Sequence, residues 1–233
     1  MKISILTLFP EMFQGVFDHS ILKLVQEKKL LTVSFVNIRH FGIGKHQLVD
    51  DTPYGGGVGM VMRVDVMDKA IASAKCNYSC RERVILLDPQ GETYSQQKAK
   101  TLATLDHLIL LCGRYEGVDE RVRDLVDEEI SIGDYVLTGG EIPAMAVVDS
   151  VVRLLPKALG KDESSQDESF SNYTLDAKRY TLLEYPQYTR PSAYEGVHVP
   201  DILLSGDHQK IAQWRKRQAL KKTEKKRPDL LKR

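Results

Sequence analysis

Three short segments combine glycine or proline with groups that can touch a ligand: DPQGE at 88–92, CGRYEGVDER at 112–121 and SIGDYVLTGGE at 131–141. The first two follow the apolar runs RVILL and HLILL, and the third leads into EIPAMAVVDSVVRLL, which has a helical pattern. Loops at the carboxyl ends of adjacent parallel strands open on one crevice, where α/β sheets bind ligands, so this arrangement predicts one pocket built from three loops. Gly113, Gly133, Gly139 and Gly140 would let backbone amides approach a ligand closely. Tight turns need the same residue type, and spacing alone leaves both readings open. Other chemistry fails on pattern. YGGGVGM at 54–60 lacks the Lys-Ser/Thr of a phosphate loop and cannot be laid onto a dinucleotide fingerprint. Asp18, His19 and Ser20 are sequence neighbours, whereas a hydrolytic triad is assembled by the fold. Cys76, Cys80 and Cys112 cannot all pair, and Cys76 and Cys80 have no nearby histidine pair, which predicts a reducing compartment and no structural zinc.

The elements that must position these loops alternate between strand and helix. KISILTL reads as a strand, and Pro10 at a first helical position opens one helix through PEMFQGVFDHSILKLVQEK. LLTVSFVNI is a second strand, followed by a long loop punctuated by glycines and Pro53. VDVMDKAIASAK, SQQKAKTLATL, VDERVRDLV and EIPAMAVVDSVVRLL read as helices, with RVILLDP and HLILLC as strands between them. This order predicts an α/β layer on a mainly parallel sheet. After Leu159 apolar periodicity fades and Pro186, Pro191 and Pro200 break the chain, which reads as a linker or lid with a domain boundary in 160–185. Ser205 and Asp207 are cap candidates for a following helix.

With 233 residues, 42% hydrophobic and 28% charged, the chain can bury a core. It has no run of 18 apolar residues, and MKISILTLFPEMF lacks the features of a leader, so the expectation is a cytoplasmic protein without a membrane span. The net charge of +1 hides an asymmetry: from Gly206 onward there are 11 Lys/Arg against 3 Asp/Glu. Cations and leucines at helical spacing there suit a module that meets phosphates, or a solvated helix face.

Read in order, YGGGVGM, CGRYEGVDER, SIGDYVLTGGE, PAM, DSVVRLLP, PQYTRP and LLSGDH closely resemble the bacterial tRNA (guanine-N1)-methyltransferases, the TrmD family of the SPOUT superfamily. The resemblance runs from about Ile3 to Leu231. It implies an α/β, mainly parallel sheet with a deep C-terminal trefoil knot, plus a small helical C-terminal domain. The division it suggests is 1–160 for the methyltransferase domain, 161–185 for the linker or lid, and 186–233 for a basic tRNA-binding domain. It further implies a homodimer with the active site at the subunit interface, and S-adenosylmethionine held in the three loops. Position by position, Pro89, Gln90, Gly91, Gly113, Ile132, Gly133, Asp134, Tyr135, Val136, Leu137 and Gly140 match the cofactor-binding segments. Asp50, Ser164, Tyr188 and Arg190 match positions used near the target nucleotide or lid, although turn capping accounts for the Asp and Ser equally well. The family is magnesium-assisted, which makes Mg2+ a candidate, but no ligand cage is visible in the sequence.

The reaction makes its own demands. N1 of guanine carries a proton and is a poor nucleophile at neutral pH, so its methylation calls for a base on that proton and a positive group near O6. The resemblance assigns the O6 role to Arg153. Where relatives carry Asp before Ser-Phe, this chain has Glu168, with Asp167 one step earlier. Glu168 keeps the register and is favoured; Asp167 keeps the residue type. A second departure is SNYTLDAKRYT at 171–181, about eight residues longer than usual in the family. The altered base position motivates the alternative of a catalytically silent RNA-binding protein on the same fold.

Overall fold

The computed structural model describes residues 1–159, 168–175 and 178–231. The chain divides into two compact units, Met1–Gly160 and Lys161–Arg233.

In the first unit, β1 (Lys2–Thr7) leads through a 3-10 turn at Pro10–Phe13 into α1 (Gln14–Phe17) and α2 (Ser20–Glu27). The single helix expected here is broken at His19, whose backbone is extended (φ −133°, ψ 161°). The break lets Phe13 and Phe17 pack on Phe35, with ring centroids 5.1 and 5.6 Å away, while α2 separately buries Leu22 and Val25. β2 (Thr32–Asn37), the short pair β3 (Asp50–Asp51) and β4 (Val61–Met62), and α3 (Val64–Ala74) follow. Next come β5 (Glu82–Thr93), α4 (Gln96–Leu102), β6 (His107–Cys112), β7 (Glu128–Ser131) and α5 (Glu141–Val152). VDERVRDLV, expected to be helical, forms a 3-10 segment over Glu120–Leu125, with Asp119 capping it by accepting from the Arg121 amide.

The sheet is five-stranded, in the order β2-β1-β6-β5-β7, and every pairing in it is parallel. All six residues of β6 are buried, as a central strand covered on both faces requires. Alternation divides the core. Ile3, Ile5, Ile85, Leu87, Leu108 and Leu110 face one layer with α5, while Leu6, Val84, Leu86, Ile109 and Leu111 face the other with α3. Fully burying side chains of this size contributes about 1.5–3 kcal/mol each, so β6 with its flanking strands carries much of the unit's stability.

β7 was not expected from the sequence. Its Glu128 and Glu129 are partnered from other elements, Glu128 by Arg83 at 3.2 Å and Lys98 at 2.8 Å, and Glu129 by Arg123. Residues 88–92, expected to be a loop, belong to β5. Leu87 and Glu92 both register on Ile130 of β7, so the residues between them bulge out of the ladder.

In the second unit, β8 (Ser171–Leu175) and β9 (Lys178–Leu182) pair antiparallel in the stretch that reads as irregular from sequence. β10 (Ala193–Tyr194) pairs with β11 (Val197–His198), and α6 (Asp201–Leu204) precedes α7 (His208–Lys226). Asp207 is the N-cap of α7, accepting from the Lys210 amide at 3.0 Å. Thr223 of α7 is fully buried, and its Oγ1 accepts from the Leu183 amide at 2.9 Å while donating to the Ala219 carbonyl at 2.8 Å.

Candidate active site

Over the carboxyl ends of β5, β6 and β7 the chain encloses a cavity of about 210 Å³. Its walls come from 87–90, 113–117, 130–133 and 135–140, the three segments singled out by sequence, with Pro143 of α5 closing one side. Hydrogen bonds tie the segments together. The Gly140 amide donates to the Gly113 carbonyl at 2.9 Å, and Arg114 bridges to Gly139 in antiparallel fashion. Ser131 Oγ donates to the Gly133 carbonyl at 3.0 Å and accepts from its amide at 3.2 Å, which fixes the turn into the third loop.

Glycine is required for different reasons around this ring. A Cβ on Gly140 would lie 2.7 Å from the Cα of Cys112, and one on Gly91 would lie 2.5 Å from the backbone of Glu129 and Ile130, so both positions are fixed by close packing of backbone on backbone. Gly133 sits at φ +150° with the Tyr135 ring against it. A Cβ on Gly113 would meet nothing nearer than Val118 at 3.7 Å, so the protein itself leaves room there.

Arg114 of the cavity wall is held by a buried acid behind it. Glu141, 1% exposed, accepts from Thr7 Oγ1 at 2.8 Å and pairs with Arg114 Nε at 3.0 Å. The Arg114 guanidinium also lies over the Phe9 ring, 4.6 Å from its centroid, and donates to the Thr138 carbonyl at 3.1 Å. Sequence reading passed over both residues, because Arg114 acts through a helix residue 27 positions away. Asp50 on β3 stands beside Tyr115, whose hydroxyl is pushed up, first by burial and then by that carboxylate. Apolar Leu87, Ile132, Leu137 and Pro143 share the lining with Arg114, Glu116 and Asp88, the last of which faces Arg123 at 3.7 Å.

Of the residues matched by sequence, Pro89, Gln90, Gly113, Ile132, Gly133, Tyr135, Val136, Leu137 and Gly140 meet around this cavity. Gly91 lies in the β5 bulge and Asp134 is exposed, both outside the lining. Arg153 caps the carboxyl end of α5 and is half-buried. Tyr188 and Arg190 line a separate cavity of about 310 Å³ in the second unit, where Tyr188 faces Trp214 at 6.5 Å between ring centroids. Glu168 is half-buried in that unit, just before Ser169, whose Oγ accepts from the Glu184 amide at 3.1 Å. Asp167 and Ser164 lie outside the described residues.

A parallel sheet with a ligand crevice at the carboxyl ends of its central strands, joined to a separate unit that carries a cationic helix, defines an α/β ligand-binding protein of two units. The chain belongs to the tRNA (guanine-1)-methyltransferase TrmD family, whose profile matches residues 1–233. A tRNA (guanine-N(1)-)-methyltransferase of Dictyoglomus turgidum is 55% identical over 231 residues, covering 99% of this chain and 90% of that protein. Its counterpart in Halalkalibacterium halodurans is 56% identical over 232 residues, covering 99% and 91%. That of Bacillus pumilus is 53% identical over 232 residues, covering 99% and 92%. Among the described residues no helix is long and apolar enough to cross a membrane.

Proposed function

We propose that this chain transfers a methyl group from S-adenosylmethionine to N1 of guanosine at position 37 of tRNA. The observation that carries the reading is the three-loop cavity, which stands in a chain matched over nearly its whole length by tRNA (guanine-N(1)-)-methyltransferases. Bound S-adenosylmethionine supplies an electrophilic methyl group on sulfonium. Residues 113, 132, 133 and 135–137 would hold its nucleoside edge through backbone groups, Pro89 and Gln90 would flank it, and Glu116 would balance its positive charge. Gly91 and Asp134 act from behind this lining by shaping the bulge and the loop, and Gly140 brings the third loop against the backbone of Cys112.

The chain's own side chains then do the proton work. A carboxylate, Glu168 in register or Asp167 beside it, would take the N1 proton and so free the electron pair that bonds the methyl carbon, while the carbon–sulfur bond breaks and the sulfur leaves as a neutral thioether. Arg153 stabilises the negative charge that grows on O6. Asp50, Ser164, Tyr188 and Arg190 orient the target nucleotide, and the cationic face of α7 holds phosphates of the tRNA. In this reading residues 1–160 form the methyltransferase domain with the family's knot, 161–185 the lid and 186–233 the tRNA-binding domain. Two copies complete the site at their interface in the cytoplasm, and Mg2+ assists the reaction.

The deciding experiment incubates the purified chain with S-adenosylmethionine and an unmodified tRNA carrying G37, with and without Mg2+, and maps the methylated nucleoside by mass spectrometry. N1-methylguanosine at position 37 is the expected product. Binding of tRNA without any methyl transfer would instead establish the silent RNA-binding alternative.

A further inference from the structure

At the opposite end of the sheet from the cavity, four potential ligands from three segments converge. Cys76 follows α3, Cys80 lies in the next loop, Glu82 opens β5 and His107 opens β6. One ligand atom from each lies within 4.8 Å of all the others. We propose that Cys76, Cys80, Glu82 and His107 form a structural site for one zinc ion, separate from the methyl-transfer site.

The donor set matches the metal. Two thiolates, one imidazole and one carboxylate suit zinc among common divalent cations, and four protein ligands make a closed, structural site. At zinc bond lengths of about 2.0–2.3 Å, tetrahedral ligand atoms stand about 3.3–3.8 Å apart, so the widest separations in the cluster, up to 4.8 Å, must close by about 1 Å while the contact between His107 and Glu82 opens by a similar amount. His107 Nδ1 already lies 2.6 Å from Glu82 Oε2 and 3.4 Å from Cys76 Sγ.

The surroundings support a held ion. His107 is 1% exposed, and its other ring nitrogen, Nε2, lies 2.9 Å from Ser4 Oγ, itself 2.9 Å from Ser34 Oγ. Without an ion, Nδ1–H donates to Glu82 and Nε2 accepts from Ser4; an ion displacing that proton would leave the hydrogen on Nε2, where Ser4 Oγ can accept it, the arrangement that commonly orients a metal-bound histidine. Glu82 Oε2 also accepts from the Cys76 amide at 2.8 Å, which pins the backbone of the loop to the same carboxylate. The sequence expectation of no structural zinc looked for a histidine pair near the cysteines in the chain. The parallel pairing of Glu82 with His107 delivers one histidine and one glutamate instead.

His107 and Cys112 are the two ends of β6, about 17 Å apart at strand rise, so the ion would clip the α3–β5 loop to the sheet without touching the cavity. The test titrates the full chain, stripped of metal and reduced, with Co2+ as a spectroscopic probe and then with Zn2+. The expected result is one Co2+ per chain, with an intense near-ultraviolet thiolate band and the visible bands of a tetrahedral site, both erased by Zn2+. Bound Zn2+ should also protect Cys76 and Cys80 from alkylation, read by peptide mass spectrometry on the unsubstituted protein, while leaving S-adenosylmethionine affinity unchanged. Cys80→Ser should weaken Co2+ binding at least about tenfold, and Cys112→Ala should retain the band. Absence of the thiolate band in the fully reduced chain, a band lost in Cys112→Ala, or alkylation of Cys76 and Cys80 unaffected by Zn2+ would each overturn the proposal.

Discussion

The glycines around the cavity separate packing from ligand contact at the level of single residues. Gly113→Ala adds a methyl group where the protein leaves room, so folding stability should change little while S-adenosylmethionine affinity falls, as calorimetric titration would measure. Gly140→Ala forces Cβ onto the Cys112 backbone and should lower the thermal midpoint whether or not cofactor is present. Unchanged affinity in a well-folded Gly113→Ala chain would remove the second loop from the site. The carboxylate assignment is tested in the same way. Glu168→Gln should slow single-turnover methyl transfer by about 10²–10⁴-fold with cofactor affinity retained, and Asp167→Asn should cost less. The reverse order would move the base to Asp167; full activity in the double variant would remove a carboxylate base from the mechanism.

Two predictions concern how elements are tied together. Arg81, just before β5, grips Asp106, just before β6, through its amide at 3.0 Å, Nε at 3.1 Å and Nη2 at 2.9 Å. These bonds, led by the guanidinium, hold the Asp106 carboxyl down at about 2 against an ordinary 3.8. Because the folded value is depressed, the pairing stabilises the fold fully above pH 3.8 and loses its contribution as pH falls toward 2. The urea midpoint of Asp106→Asn should therefore lie below that of the parent at pH 6 and converge with it near pH 2; a gap constant across that range would contradict the coupling. In the second unit, Thr223→Val keeps the shape of a buried residue but strips the acceptor from the Leu183 amide, which should cost about 1–3 kcal/mol. Hydrogen exchange at Leu183 should accelerate before exchange at the centre of β6 does.

The molecule as a whole sets the charge arithmetic. Lys216, Arg217, Lys221 and Lys225 of α7 are exposed, whereas Arg215 is engaged over the Tyr185 ring at 4.8 Å. Replacing those four with Gln should weaken tRNA binding and reduce the slope of log affinity against log salt by about 3 when all four meet phosphates. S-adenosylmethionine affinity should stay put, since its loops belong to the other compact unit. An unchanged salt slope measured by filter binding would show that α7 presents only a solvated face. Substitution is the cleaner test than truncation after Ser205, which would also remove Thr223 and the other buried contacts of α7.

Local pattern determined much of this. Apolar runs predicted β1, β2, β5 and β6, and glycine and proline placement marked the three loops that meet at the cavity. Ordered motifs carried the family and hence the reaction. Tertiary structure decided what depends on partners distant in the chain. β7 is a four-residue strand with two glutamates, and Arg83, Lys98 and Arg123 arrive from other elements to pair with those charges. The 88–92 segment is a bulge because Leu87 and Glu92 share one partner on β7, a register that no local propensity encodes. Likewise Arg114 finds Glu141, and His107 finds Glu82 and Cys76, only after parallel pairing brings strand ends side by side. Propensity and periodicity act within a few residues, so they select elements and turns; desolvated charges and ligand clusters are set by which strands become neighbours.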